Sequence, residues 1–294
     1  MPQSIIDIKY YLEKIKHLTD SLLERYLPSA EVEPKILHEA MRYSTLAGGK
    51  RLRPILAYSA YEYCGGETEG SDLPIHYAMA ALEMVHTYSL IHDDLPCMDD
   101  DDLRRGIPTC HKKFGTAAAV LAGDALHDIA FNLIASTGST KVVVELAQAL
   151  GTAGMIGGQM ADVEAEGKDV SKEDIINIHT RKTGALIRAS VRIGAILAGK
   201  EGDVLAKLTQ YGEKIGLAFQ IIDDILDIEG DTELMGKTVG ADNEHQKATY
   251  PKAVGIEQAK SDAKELIDEA IAFVDNYDDN VLKHIALFIG QRNV

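Results

Sequence analysis

The chain has 294 residues, 46% apolar and 26% charged, which is enough apolar content for a sizeable core in an ordinary soluble composition. Its net charge of −16 argues against nucleic acid as a partner, because a phosphate backbone needs surplus Lys and Arg; any phosphate substrate must be held through metal ions or a local basic cluster. Three Cys with no CxxC pair point to reduced thiols in an intracellular, cytoplasmic protein, and the N-terminal segment resembles neither a signal peptide nor an Arg-rich transit peptide, so a plastid location would require a transit peptide already removed.

Apolar residues recur at helical spacing almost throughout. Ile5, Ile8, Leu12, Ile15, Leu22 and Tyr26 describe a first helix that Pro28 stops. Helices are predicted next over 34–47, ended by Gly48-Gly49, over 54–63, ended by Gly65-Gly66, and from 74 to about 95. Further helices are predicted over 116–135, 141–164, 171–199, 203–229 and 250–276, with a last one near 279–291. The 117–135 segment is apolar on most faces and is expected in the middle of the bundle. No apolar run reaches the roughly 18 residues of a membrane span. Strand alternation and hairpin dipeptides are nearly absent, and no linker or repeat appears, so 1–294 is read as one all-α domain.

Two acidic clusters interrupt this pattern. HDDLPCMDDDDLRRG at 92–106 follows the apolar segment MAALEMVHTYSLI. A solvated acidic loop is one reading. The other is a hard-cation site, since so many neighbouring carboxylates repel one another unless a cation neutralises them, and Mg²⁺ is commonly held by one or two carboxylates plus substrate phosphates. Pro96 is expected to bulge the helix and return Asp99 to the face of Asp93. In FQIIDDILDIE at 219–229, helical geometry puts Asp223, Asp224 and Asp227 on one face with Gln220 one turn earlier. Buried salt bridges would be the plain explanation; two such clusters on apolar helices suggest jaws around a metal-bound diphosphate.

Fixed cations are present as well. GGKRLRP at 48–54 places Lys50, Arg51 and Arg53 between a Gly-Gly break and a helix start. Arg104 and Arg105 follow the first acid run, TRKTG contributes Lys182 and Thr183, and Lys237 and Lys247 lie beyond the second. On pattern alone His86, in an apolar helix, reads as a core histidine.

GGKRLRP, HDDLPCMDDDDLRRG, GDAL at 123–126, GGQMAD at 157–162, RKTGAL, FQIIDDILD, GKTVGAD and KATYP together identify a resemblance to the trans-isoprenyl diphosphate synthases, closest to the bacterial and plastid farnesyl/geranylgeranyl diphosphate synthase group. The resemblance implies an all-α bundle around a central cavity, a homodimer, and two to three Mg²⁺ ions per site, with Mn²⁺ as a substitute. It implies that Asp93, Asp94, Asp99, Asp223, Asp224 and Asp227 bind metal. Gly49, Lys50, Arg53, His86 and Arg105 would hold isopentenyl diphosphate. Arg104, Lys182, Thr183, Gln220, Lys237 and Lys247 would contact the allylic diphosphate, and Lys182, Gln220 and Lys237 would act in catalysis with the aspartates. His86 becomes a ligand on this resemblance only.

The resemblance also places the floor of the product pocket just before the first aspartate pair, at Tyr88 and Ser89. The bulky Tyr88, with the two-residue insertion in DDLPCMD, is similar to bacterial farnesyl diphosphate synthases, so a fifteen-carbon product is expected, with twenty or ten carbons as alternatives. A class I terpene cyclase is disfavoured by the all-aspartate DDILD, and a non-catalytic partner subunit by the presence of both motifs. A His-Asp phosphohydrolase lacks the further metal-ligating His it would need.

Overall fold

The computed structural model describes residues 6–229, 247–275 and 280–291. Helix α1 (Ile8–Tyr26) starts where the Asp7 carboxylate accepts the Tyr10 N–H, and ends ahead of Pro28. Helices α2 (Lys35–Thr45), α3 (Leu52–Tyr63) and α4 (Pro74–Asp93) follow, α4 opening on a proline whose missing N–H costs nothing there. Most of α4 is buried, and it packs against α1, α2 and α3.

Four features depart from the sequence pattern. Leu103–Arg104 (β1) and Ile107–Pro108 (β2) pair antiparallel around Arg105 and Gly106, which both have positive φ (55° and 78°). That is the two-residue turn matching strand twist, made here with Arg-Gly instead of the Asn-Gly that signals it in sequence. After the short α5 (Cys110–Phe114), α6 (Thr116–Ser136) does not sit in the middle of the bundle. It lays Ala122, Leu126, Ala130 and Ile134 inward, packs on α4 and leaves Val120 and Leu121 exposed, so α4 takes the central place. By length and composition alone α6 is also apolar enough to cross a membrane, contrary to the expectation that no such run exists; its inward residues are part of the core.

The third departure is the division of 141–164 into α7 (Thr140–Leu150) and α8 (Met155–Ala165) at the Gly151–Gly154 break. Likewise 171–199 becomes α9 (Lys172–His179), a π turn (Thr180–Gly184) and α10 (Ala185–Leu197). A capping box between Ser171 and Asp174 starts α9. Helix α11 (Gly202–Glu229) runs alongside α10, and the last predicted pair resolves into α12 (Tyr250–Val254), α13 (Ile256–Val274) and α14 (Val281–Gly290). Gly255, at φ 83°, breaks the helix between α12 and α13. The fourth departure, at Pro96, shapes the first acidic cluster.

Candidate active site

Helix α4 does not bulge at Pro96; it stops at Asp93. The Asp99 N–H then donates to the Asp93 carbonyl at 2.8 Å, while Met98 and Asp100 donate to Leu95. A tight turn, not a distorted helix, therefore brings Asp99 back over Asp93. Burial pushes the Asp93 carboxyl up, with Asp99 adding to it and Lys182 and Arg104 opposing. Burial would also raise Asp99, but Lys247, whose Nζ is 3.0 Å away, and Lys182 hold it below its ordinary value. Asp94 is buried against Arg104, which donates from Nε at 2.6 Å and from a terminal nitrogen at 2.5 Å. Burial outweighs that partner, so Asp94 is pushed up to about 6.

On α11 the helical face expected for the second cluster is present, but its members differ. Asp223 is half-buried and lies within electrostatic reach of Arg53. Asp224, 3% exposed, accepts hydrogen bonds from His179 Nε2 (2.9 Å), Gln220 Nε2 (3.0 Å) and the Tyr250 N–H (2.8 Å). Asp227 is buried too. Thr183 donates to the Gln220 side chain at 2.7 Å, tying the π turn to α11. Lys182, one residue earlier, donates to Asp162 of α8 at 2.6 Å. Burial alone would lower the Lys182 ammonium; Asp162, Asp93 and Asp99 more than offset it and raise it. Gly158 makes this possible, because a Cβ there would lie 2.2 Å from the Lys182 backbone nitrogen, holding α8 away from the π turn.

The third component is a cluster of guanidinium groups around His86. Arg53 is 9% exposed and its pKa is lowered to about 10 by burial, with Glu83 and Asp223 opposing and Arg105 adding. Arg105 bonds the Gly48 carbonyl and lies across Gly49, where a Cβ would sit 2.7 Å from the guanidinium. Arg51 points inward instead, to Asp20 and Glu83 at 2.8 Å each and to the Thr45 carbonyl at 2.9 Å. Lys50 is exposed. His86 stands in this group with its Nδ1 buried and unpartnered among the described residues. Burial and the charges of Arg53, Arg105, Arg104 and Arg51 hold it well below its ordinary pKa, so it is a neutral imidazole at pH 7.

The first cluster, Lys182, Lys247 and the arginines thus share one electrostatic neighbourhood, and Arg53 links it to Asp223. Lys237 lies outside the described residues. Tyr88 is 7% exposed, with its ring edge-on to His127 at 5.2 Å and to His92 at 5.8 Å. Its hydroxyl has no partner among the described residues, and burial, then Asp93, pushes the phenol up to about 12. Ser89 spends its hydroxyl on the His86 carbonyl at 2.8 Å.

Glu83, Asp162, His179 and Tyr250 support the site without having been singled out in the sequence. Asp162 and Tyr250 sit inside recognised motifs, and Glu83 is a charge in an otherwise apolar helix, a signal of the same kind as His86. Among the described residues no three His, Cys, Asp or Glu side chains converge as a complete metal cage. The half-buried Asp93–Asp99 pair, in which Asp99 raises Asp93, is instead an incomplete, oxygen-only donor set. It suits a hard cation whose remaining ligands come from a substrate phosphate and water.

The polyprenyl synthetase family profile matches residues 34–288. The chain is 46% identical to the farnesyl diphosphate synthase of Escherichia coli, over 98% of this chain and 100% of that protein. It is 47% identical to the large subunit 1 of the heterodimeric geranylgeranyl pyrophosphate synthase of Arabidopsis thaliana chloroplasts, over 92% and 74% respectively. A crystal structure of an FPP/GFPP synthase from Zymomonas mobilis superposes with a TM-score of 0.83 at 37% identity, covering 97% of this chain and 99% of that one.

Proposed function

Because the chain belongs to the polyprenyl synthetase family, the trans-isoprenyl diphosphate synthases, we propose that it condenses isopentenyl diphosphate with dimethylallyl and geranyl diphosphates to farnesyl diphosphate, releasing diphosphate. The observation that carries this reading is the half-buried Asp93–Asp99 pair with Lys247 3.0 Å from Asp99 and with the charge of Lys182 acting on both carboxylates, while Arg53 is within electrostatic reach of Asp223. The cofactor is Mg²⁺, two or three ions per site, which when bound neutralises the diphosphate leaving group. Asp93, Asp99 and Asp223 are the ligands best disposed for it; Asp94, Asp224 and Asp227 complete the two motifs as neighbours, since Asp94 has one oxygen on Arg104 and Asp224 has both on His179, Gln220 and Tyr250.

Lys182, Lys247 and Arg104, preorganised by Asp162, Asp99 and Asp94, stabilise the charge that develops on the allylic diphosphate as its C–O bond breaks. Thr183 and Gln220 hold the π turn that presents Lys182. Arg53, Arg105 and neutral His86, at the Gly48–Gly49 break with Lys50, bind isopentenyl diphosphate and aim its double bond at the allylic carbon. The released diphosphate is the acceptor for the proton then lost. Tyr88 closes the product pocket after fifteen carbons. The chain works as one domain, supported by a core that continues from α1 to α14. It works as a homodimer, a reading supported by the exposed Val120 and Leu121 on α6.

The test is incubation of the purified protein with Mg²⁺, isopentenyl diphosphate and dimethylallyl, geranyl or farnesyl diphosphate, followed by chromatography of the products. Farnesyl diphosphate from the first two primers, and little extension of the third, is expected. No elongation of any primer would overturn the reading, and a twenty-carbon main product would overturn the assigned chain length.

A further inference from the structure

Glu83 lies in the middle of α4 and is 1% exposed. A carboxylate so deeply buried is tolerated only beside compensating cations. It has three, two from the start of α3 and one from the hairpin turn. Oε1 accepts from Arg51, just ahead of α3, at 2.8 Å, and lies 3.9 Å from Arg105 in the hairpin turn. Arg53, on α3, feels Glu83 as the strongest of the charges acting on it.

These cations differ in how much else holds them. Arg51 has its own anchors in Asp20 and the Thr45 carbonyl, and its side chain is fully buried, so it is a strut between α1, α2 and α4. Arg105 has the Gly48 carbonyl. Arg53 Nε makes no hydrogen bond among the described residues, and neither does Glu83 Oε2. Half of the carboxylate is therefore not spent on fastening Arg51. His86 is three residues along α4, on the same side of the helix, and the same arginines converge on it. At 1% exposure Glu83 is too deeply buried to touch a substrate itself.

We propose that Glu83 is a positioning residue for isopentenyl diphosphate: its buried charge holds Arg53 and Arg105 together, against their mutual repulsion, in the arrangement that grips the diphosphate. This rests on the assignment of that substrate to the arginine cluster. Without the carboxylate the two guanidinium groups separate and the grip loosens, while the lysines that serve the allylic diphosphate, held by Asp162 and Asp99, keep their places.

The experiment is steady-state kinetics of Glu83→Gln and Glu83→Asp, each substrate varied at saturating levels of the other. Glu83→Gln is expected to raise the KM for isopentenyl diphosphate about tenfold, with the KM for geranyl diphosphate changed less than roughly twofold, because misplacement of gripping groups acts on the substrate they grip. Glu83→Asp, which keeps the charge on a shorter stem, is expected to recover most of the loss. A structural role alone would move both constants together, and that result, an unchanged KM, or a lower KM for isopentenyl diphosphate would overturn the proposal. If Glu83→Gln does not fold, Glu83→Asp carries the test through the same split, with a rise of about threefold. Inactivity of the unaltered enzyme would count against the substrate assignment, whereas an active enzyme with no split counts against Glu83.

Discussion

Along α11 the buried carboxylate of Asp224 collects three hydrogen bonds, from α9, from its own helix and from the backbone at the start of α12. Along α4 the buried polar groups are left short: Glu83 Oε2, His86 Nδ1 and the Tyr88 hydroxyl have no hydrogen-bond partner among the described residues. Both helices carry an aspartate cluster at or near the C-terminal end. Buried groups that are fully satisfied make a frame, and buried groups held short are where structure has been given up for binding. Asp224 therefore doubles as a fastening of the fold, whereas the α4 groups are those the proposed substrate and product contacts would use.

The sharpest way to break this contrast is to remove one carboxylate from each cluster. Asp93→Ala is expected to lower kcat/KM by at least about 100- to 1,000-fold, the cost of losing a preorganised electrostatic group, with an unchanged or higher thermal midpoint because a disfavoured buried charge is gone. Asp224→Ala is expected to lose activity together with stability, about 3–5 kcal/mol, since His179 and the Tyr250 N–H are left buried without their acceptor. Activity assays and thermal melts of the two proteins decide it. A normal melt for Asp224→Ala, or an equal fall for both, would remove the distinction.

A smaller effect tests the α4 side alone. His86 has its folded pKa depressed, so the unfolded chain takes up the proton first as pH falls. The stability this residue contributes is present above its unfolded pKa of about 6.5 and is lost as pH falls from there toward the folded value. In melts without substrate, the stability of the unaltered protein relative to His86→Gln should decline between pH 7.5 and 5.5, with a slope of up to about 1.4 kcal/mol per pH unit. A constant difference would mean that His86 is not held neutral by its arginines.

The helices α1 and α11 were legible in the sequence because their apolar residues recur at helical spacing, and α4 because Pro74 opens an apolar segment that the acidic run closes. So was the grouping of Gln220 with Asp224 one turn apart, confirmed by a 3.0 Å hydrogen bond. The hairpin was not, because Arg105 and Gly106 adopt positive φ without the usual turn residues. The return of Asp99 to Asp93 was legible too, but not its means, because a turn closed by backbone hydrogen bonds, which carry no side-chain signature, replaces the bulge expected at Pro96. Asp162 was hidden for a different reason: its meaning depends on Lys182 being brought beside it by a glycine contact between distant segments. The place of α6 was misread because its apolar residues surround the helix, and periodicity does not say which face a neighbour covers.

The smallest effect is on the product and not on the rate. Tyr88, the proposed floor of the product pocket, has a ring braced edge-on by His127 and His92, and Phe131 lies behind His127 with ring centroids 4.8 Å apart. Tyr88→Phe removes only the unpartnered hydroxyl. It should keep the fifteen-carbon product and gain about 1 kcal/mol in melts, because an unsatisfied buried polar group is destabilising. Tyr88→Ala removes the ring and leaves His127 and Phe131 as the next obstacle, so the product should lengthen by one five-carbon unit and not without limit. Chromatography of the diphosphates formed from geranyl diphosphate reads both outcomes. An unchanged fifteen-carbon product from Tyr88→Ala would place the floor on another helix, and Tyr88 would then belong with Asp224 to the frame.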